Sequence, residues 1–107
     1  MMFVLASQAT VDTTAPTFPT DLYQTAVDDS YVSMAWASSD NAGVTAQTLY
    51  WKKGTSFYST ISLTAGQTSY TKTGLSAGTQ YSFYIRAFDG DGNATNSSVL
   101  VSTTGVA

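Results

Sequence analysis

Between residues 74 and 81 the chain reads Gly74-Leu75-Ser76-Ala77-Gly78-Thr79-Gln80-Tyr81, and apolar residues then alternate through Phe83, Ile85 and Ala87. A period of two is the signature of a strand with one buried face. A Leu in a Gly-flanked turn, shortly before a Tyr that opens such a strand, predicts the corner where a chain crosses between two packed sheets. There the Tyr ring enters the core and its hydroxyl reaches back to a backbone group near Leu75. This stretch leaves little room for any fold other than a β-sandwich.

The rest of the chain repeats the pattern of short alternating runs divided by turn residues, and no segment shows helical periodicity. Strands are expected at 22–27, 31–36, 45–53, 57–63, 69–71, 81–88 and 98–103, with 57–63 at a sheet edge. Val32, Met34 and Trp36 share one face, so Trp36, Leu22, Leu49, Leu75, Tyr81, Phe83 and Ile85 should form the core. Seven short strands make an all-β, antiparallel two-sheet sandwich. The inward phase of the last strand is ambiguous, because Val99, Leu100 and Val101 are consecutive.

With 107 residues the chain suits one domain. Charged residues make up only 10%, well below the usual quarter, and Ser and Thr take their place on exposed strand faces. The net charge is −3, with no basic cluster, which argues against nucleic acid and against a polybasic membrane contact. Cys is absent, so no inter-sheet disulfide can form. The apolar start Met1, Met2, Phe3, Val4, Leu5 is far shorter than the ~20 residues of a spanning helix, so no membrane insertion is expected. Residues 1–15 are expected to be an apolar arm and extended linker, and 16–107 the folded domain.

Three stretches carry a resemblance to a known family. Pro19 and Leu22 are followed by Val32, Met34 and Trp36; Ser39-Asp40-Asn41 leads through Gly43 to Val44-Thr45; and Thr68-Ser69-Tyr70-Thr71 leads through Thr73-Gly74-Leu75 to Tyr81. Together they resemble a fibronectin type III domain, an immunoglobulin-like seven-stranded sandwich. The opening Asp12-Thr13-Thr14-Ala15-Pro16 is similar to the start of bacterial members. One departure is Gln47, which stands where the family usually places a core Tyr and implies a repacked third strand, with Trp51 filling in. The resemblance implies a module strung beside others in a secreted, carbohydrate-active or adhesive protein, and hence an extracellular, cell-surface or virion location.

An inventory of reactive side chains excludes most catalysis. His and Cys are absent, which removes Ser-His and Cys-His nucleophile pairs and the usual zinc ligands. The acidic residues are all Asp and fall in loops at opposite ends of the expected sandwich, so no carboxylate pair flanks a groove. No enzymatic activity and no cofactor are expected. Asp89-Gly90-Asp91-Gly92-Asn93 imitates the first ligands of a calcium loop, and Asp40 would lie at the same pole, so Asp40, Asp89, Asp91 and Asn93 are the metal candidates. The trailing Glu of such a loop is missing, and the same residues make a good turn, which is the preferred reading. Asn93-Ala94-Thr95 and Asn96-Ser97-Ser98 match the glycosylation pattern, as a Ser- and Thr-rich chain will by chance.

If Phe83, Ile85 and Ala87 face inward, Tyr84, Arg86 and Phe88 face outward, and Leu49 inward sends Tyr50 out beside them. Tyr50, Tyr84, Arg86 and Phe88 are therefore the candidate binding face, with cross-strand stiffening of the sheet as the plainer explanation. Met1, Met2, Phe3, Val4 and Leu5 are the candidate docking arm. Three functions follow: a spacer or accessory module; a stand-alone structural subunit of a virion or filament, suggested by the initial Met and short chain; or a binder of carbohydrate or protein. The expected partners are other protein domains or copies of itself, with polysaccharide as a further class.

Overall fold

The computed structural model describes residues 17–39 and 44–106, with the side chains of 22–37 and 44–106. Among these residues the chain forms eight strands: β1 (Thr17–Val27), β2 (Val32–Ser39), β3 (Val44–Lys53), β4 (Ser59–Leu63), β5 (Ser69–Lys72), β6 (Gln80–Asp89), β7 (Ala94–Asn96) and β8 (Leu100–Thr103). One sheet has the order β1-β2-β5 and the other β4-β3-β6-β7, with β8 also paired to β6. All these pairings are antiparallel. The sheets face each other over one core, in which Phe83, Met34, Leu49, Ile85 and Val32 are fully buried. Burial of each such side chain contributes roughly 1.5–3 kcal/mol. Trp36, Leu22, Leu75 and Tyr81 complete the core as the alternation requires.

The corner between β5 and β6 is fixed by hydrogen bonds as well as by burial. The Ser76 N–H donates to the Tyr81 hydroxyl at 2.8 Å, and the Leu75 N–H donates to the Ser30 carbonyl at 2.9 Å. Gly74 and Gly78 have φ of 71° and 59°, a left-handed backbone that a Cβ would strain.

Two departures from the sequence reading have physical causes. The strand expected at 98–103 comes in two pieces. Arg86 faces Asn96 across the β6–β7 ladder, but Phe83 faces Leu100 across β6–β8, a slip of one residue. Ser97 sits at the slip, where its Oγ accepts from the Ile85 N–H at 2.9 Å and its N–H donates to the Ile85 carbonyl. A one-residue slip exchanges the faces of a strand. Accordingly Ser102 and Thr104 are buried while Val99 and Val101 are each 54% exposed. The second departure is β1, which begins at Thr17 rather than near residue 22. It runs through Pro19, which an edge strand tolerates, and its pairing is irregular on both sides of Thr20.

Gln47 is only 1% exposed and occupies its core position itself. Its Oε1 accepts from Trp36 Nε1 at 2.9 Å, and its Nε2 donates to the carbonyls of Thr64, Ala65 and Gln67 at 3.0, 3.2 and 2.8 Å. The amide thus ties a core indole to the turn between β4 and β5. Trp51 packs against the core as a separate, partly buried element.

Candidate functional site

The centre of the larger sheet fixes which side chains can meet on its outer surface. β3 and β6 pair with Tyr50 opposite Tyr84, Thr48 opposite Arg86, Lys52 opposite Ser82 and Ala46 opposite Phe88. Leu49 and Ile85 are fully buried on the inner face, so the pleat turns these neighbours outward. The Tyr50 and Tyr84 rings stack with centroids 4.6 Å apart and planes within 3°. Arg86 is next along β6; its Nη1 donates to Asn96 Oδ1 at 3.0 Å and its guanidinium lies 5.4 Å from the centre of the Phe88 ring. The four face residues thus share one surface, as a stacked pair and an adjoining Arg–Phe pair.

Tyr58 and Lys52 belong to the same surface and were missed by the sequence reading. Tyr58 stands edge-on to Tyr50 and Tyr84 at 6.4 and 5.1 Å, and Lys52 Nζ lies 4.9 Å from the Tyr58 ring centre. The signal was the hairpin register: Trp51 opposite Ser59 places Tyr58 beside Lys52, one step beyond the end of the β4 ladder. Strand periodicity alone had placed Tyr58 inside a strand.

The stacking decides what the surface offers. Tyr50 and Tyr84 rise from adjacent strands and each gives one ring face to the other. A flat row of free ring faces, which a sugar chain would need, is not formed by this pair. Burial pushes the Tyr84 phenol above its usual pKa, the Tyr50 and Tyr58 phenols add to the rise, and Arg86 partly opposes it. At neutral pH the Tyr84 phenol is therefore uncharged, in a cluster bordered by Lys52 and Arg86. Amphipathic rings with a cation suit contact with protein.

The Asp89 loop is organised around its own carboxylate. Asp89 is 3% exposed; its Oδ1 accepts the N–H groups of Asp91 and Asn93 at 2.9 and 3.0 Å, and its Oδ2 accepts from Asn93 Nδ2 at 2.9 Å. Gly92, with φ of 85°, completes the turn. Both carboxylate oxygens thus act as turn acceptors rather than as converging ligands. Among the described residues no group of three or more His, Cys, Asp or Glu could hold a metal. Asp40 lies outside the described residues, as do the arm residues Met1, Met2, Phe3, Val4 and Leu5 and the linker before residue 17.

Similarity to known proteins agrees with this architecture. The sequence profile of the fibronectin type III domain matches residues 15–103. The chain is 42% identical over 97 residues to chitinase A1 of Niallia circulans, covering 88% of the chain but 13% of that enzyme. It is 41% identical over 96 residues to exoglucanase B of Cellulomonas fimi, covering 89% of the chain but 8% of that enzyme. In both cases the similarity spans a small part of a much longer protein. Among solved structures, the third fibronectin III domain of a human protein superposes with a TM-score of 0.76 at 16% identity, over 97% of this chain and 93% of that one. The profile match, the bacterial relatives and the two-sheet topology with its Tyr81 corner lead to one conclusion: the chain belongs to the fibronectin type III family.

Proposed function

We propose that this domain is a non-catalytic accessory module of an extracellular carbohydrate-active enzyme, holding other domains at a working distance and orientation. The observation that carries this reading is the recurrence of the same unit, at 42% and 41% identity, as a small segment of a chitinase and of an exoglucanase. A unit attached to enzymes named for different substrates serves something those enzymes have in common. The residue inventory supports the non-catalytic half, since the chain has no His, Cys or Glu. In this reading the Tyr50, Tyr84, Arg86 and Phe88 face, widened by Tyr58 and Lys52, packs against a neighbouring domain, and residues 1–5 provide a second contact.

A segment exchange tests the proposal. The matching segment of the Niallia circulans chitinase is replaced by this chain, and hydrolysis of soluble and insoluble chitin is compared with the parent and with a deletion of the segment. The exchange is expected to restore whatever the deletion loses, and the isolated chain to hydrolyse neither substrate. An exchange no better than the deletion, or hydrolysis by the chain alone, overturns the reading.

A further inference from the structure

The chain has a second aromatic region, at the pole opposite the Asp89 loop, and its geometry is unlike that of the sheet face. A cleft of about 250 Å³ opens between the turn at 53–58 and the corner at 74–76. Trp51, Leu75 and Tyr81 line its interior, and Phe57 lines its mouth. Phe57 is 97% exposed, so its ring makes almost no contact with the rest of the domain. The turn that precedes it is tight: the Ser56 N–H donates to the Lys53 carbonyl at 3.0 Å, and Ser56 Oγ donates to the same carbonyl at 2.7 Å.

Polar groups converge on the same opening. Lys53, Ser56 and Ser76 line it and Lys72 reaches the Trp51 ring, in a protein whose net charge is −3. Both lysines contact neutral groups. Lys53 Nζ donates to Ser76 Oγ at 3.3 Å, and Lys72 Nζ donates to the Thr73 carbonyl at 2.8 Å while lying 4.3 Å from the Trp51 ring centre. Lys72 comes from the smaller sheet and Trp51 from the larger, so this contact joins the two sheets.

We infer that this cleft is a binding site for one pyranose ring of a polysaccharide chain, with Phe57 stacking on the sugar and the lysine and serine groups bonding its hydroxyls. Ligand pockets for drug-sized molecules begin near 300 Å³, so about 250 Å³ suits a single ring with its substituents. A free aromatic face beside a cluster of hydrogen-bond donors is the pairing a sugar requires, since its C–H face is apolar and its rim is polar. Tyr50 and Tyr84 each give one face to the other and meet Tyr58 edge-on, so neither stands free as Phe57 does. The inference rests on the accessory-module reading for its choice of ligand. It also explains how one unit serves different polysaccharides: a single stacked ring is indifferent to the linkage beyond it.

The test is a titration of the isotope-labelled full chain with chitohexaose, cellohexaose and maltohexaose, followed by amide chemical shifts, with poly-L-glutamate titrated in parallel. Saturable shifts are expected at residues 51–59 and 74–76 with at least one of the sugars. Phe57→Ala should lower that association constant about tenfold or more, without altering the shifts of core residues, because its ring supports nothing. Tyr84→Ser should leave sugar binding intact. The inference is overturned by no shift up to the solubility limit of all three sugars, or by shifts centred on Tyr50 and Tyr84. It is equally overturned by a salt-sensitive response to poly-L-glutamate with silence toward sugar, which would make the lysine pole a site for acidic protein. A working chitinase exchange with no sugar-dependent shifts sinks the cleft and leaves the accessory reading standing. A failed exchange with Phe57-dependent sugar binding does the reverse.

Discussion

Tyr81 and Tyr84 stand three residues apart on β6, on opposite faces of one sheet, and are held in different ways. Tyr81 is 2% exposed, and its hydroxyl accepts the N–H of Ser76. Tyr84 is half-buried, and what holds it is another ring, that of Tyr50. The contrast extends to their neighbours. On the inner face, Gln47 gives its amide four named partners, and Trp36 gives its indole N–H to that amide. On the outer face the contacts are chiefly ring on ring and cation over ring, with one hydrogen bond from Arg86 to Asn96. Inside, the polar atoms of Gln47, Trp36 and Tyr81 have fixed partners, so a change there is felt by the fold. Outside, a change removes a ring contact and leaves the core in place.

The largest effect is expected where the inner network is densest. Gln47→Ala removes the acceptor of the buried Trp36 N–H and the donor to three carbonyls, and leaves a cavity besides. A loss of about 3 kcal/mol or more is expected, which calorimetry should read as a fall in Tm of at least roughly 10 °C. Gln47→Glu isolates the hydrogen bonds from the cavity: it keeps the shape and the acceptor but buries a charge facing three carbonyl oxygens. It should be as damaging at neutral pH and less so in acid, where the carboxyl becomes a donor again. If Gln47→Ala is nearly neutral, the inner face owes its order to packing alone and the contrast collapses.

Next comes the corner. Tyr81→Phe keeps the ring and deletes only the hydroxyl that accepts from Ser76. A cost of about 1 kcal/mol is expected, seen as a shift in the denaturation midpoint with no change in its slope. An unchanged midpoint would mean that water takes over the Ser76 N–H, and that burial of Leu75 and Tyr81 suffices to make the turn.

On the outer face, Tyr84→Ser should cost less than 1 kcal/mol, in line with the worth of a cross-strand aromatic pair. Under the proposed accessory role, its main consequence should be weaker packing against a neighbouring domain, measurable by sedimentation of the chitinase exchange protein with and without the substitution. The outer face also predicts an alkaline response. The Tyr84 phenol is raised in the folded state, chiefly by burial. The folded protein therefore holds this proton more tightly than the unfolded chain. The stabilisation is complete below the ordinary phenol pKa and is lost as pH rises through the raised value. Tyr84→Phe should flatten that alkaline decline in urea midpoints.

How much of this was legible in the sequence differs between the two faces for the same reason. Burial leaves a periodic mark, so the alternation Tyr81, Phe83, Ile85, Ala87 located the inner face, and Tyr84, Arg86 and Phe88 followed as its complement. Register leaves no such mark. The slip at Ser97 turned Val99 and Val101 outward, and only the ladder hydrogen bonds of Ile85 reveal it. Gln47 was noticed as a misfit, but its four partners come from β2 and from the turn at 64–67, which no local pattern connects to it. Tyr58 and Phe57 were placed inside a strand because they are apolar, when one caps the tyrosine stack and the other projects into solvent.

The smallest effect is expected at the Asp89 loop, a polar site that belongs with the inner face although it lies at a surface turn. Its carboxylate already accepts from two backbone N–H groups and one side-chain amide. A calcium ion would have to take these oxygens from their donors, and Gly90 and Gly92 contribute no side-chain ligand. Millimolar calcium or its removal by chelator should therefore leave Tm unchanged within error, since a ligand stabilises only by binding the folded state. Asp89→Ala should not be silent, because it strands the N–H groups of Asp91 and Asn93, and a loss of about 1–3 kcal/mol follows. A calcium-dependent rise in Tm that vanishes in Asp91→Ala would reverse the assignment. The loop would then be a ligand site whose turn hydrogen bonds are only its metal-free arrangement.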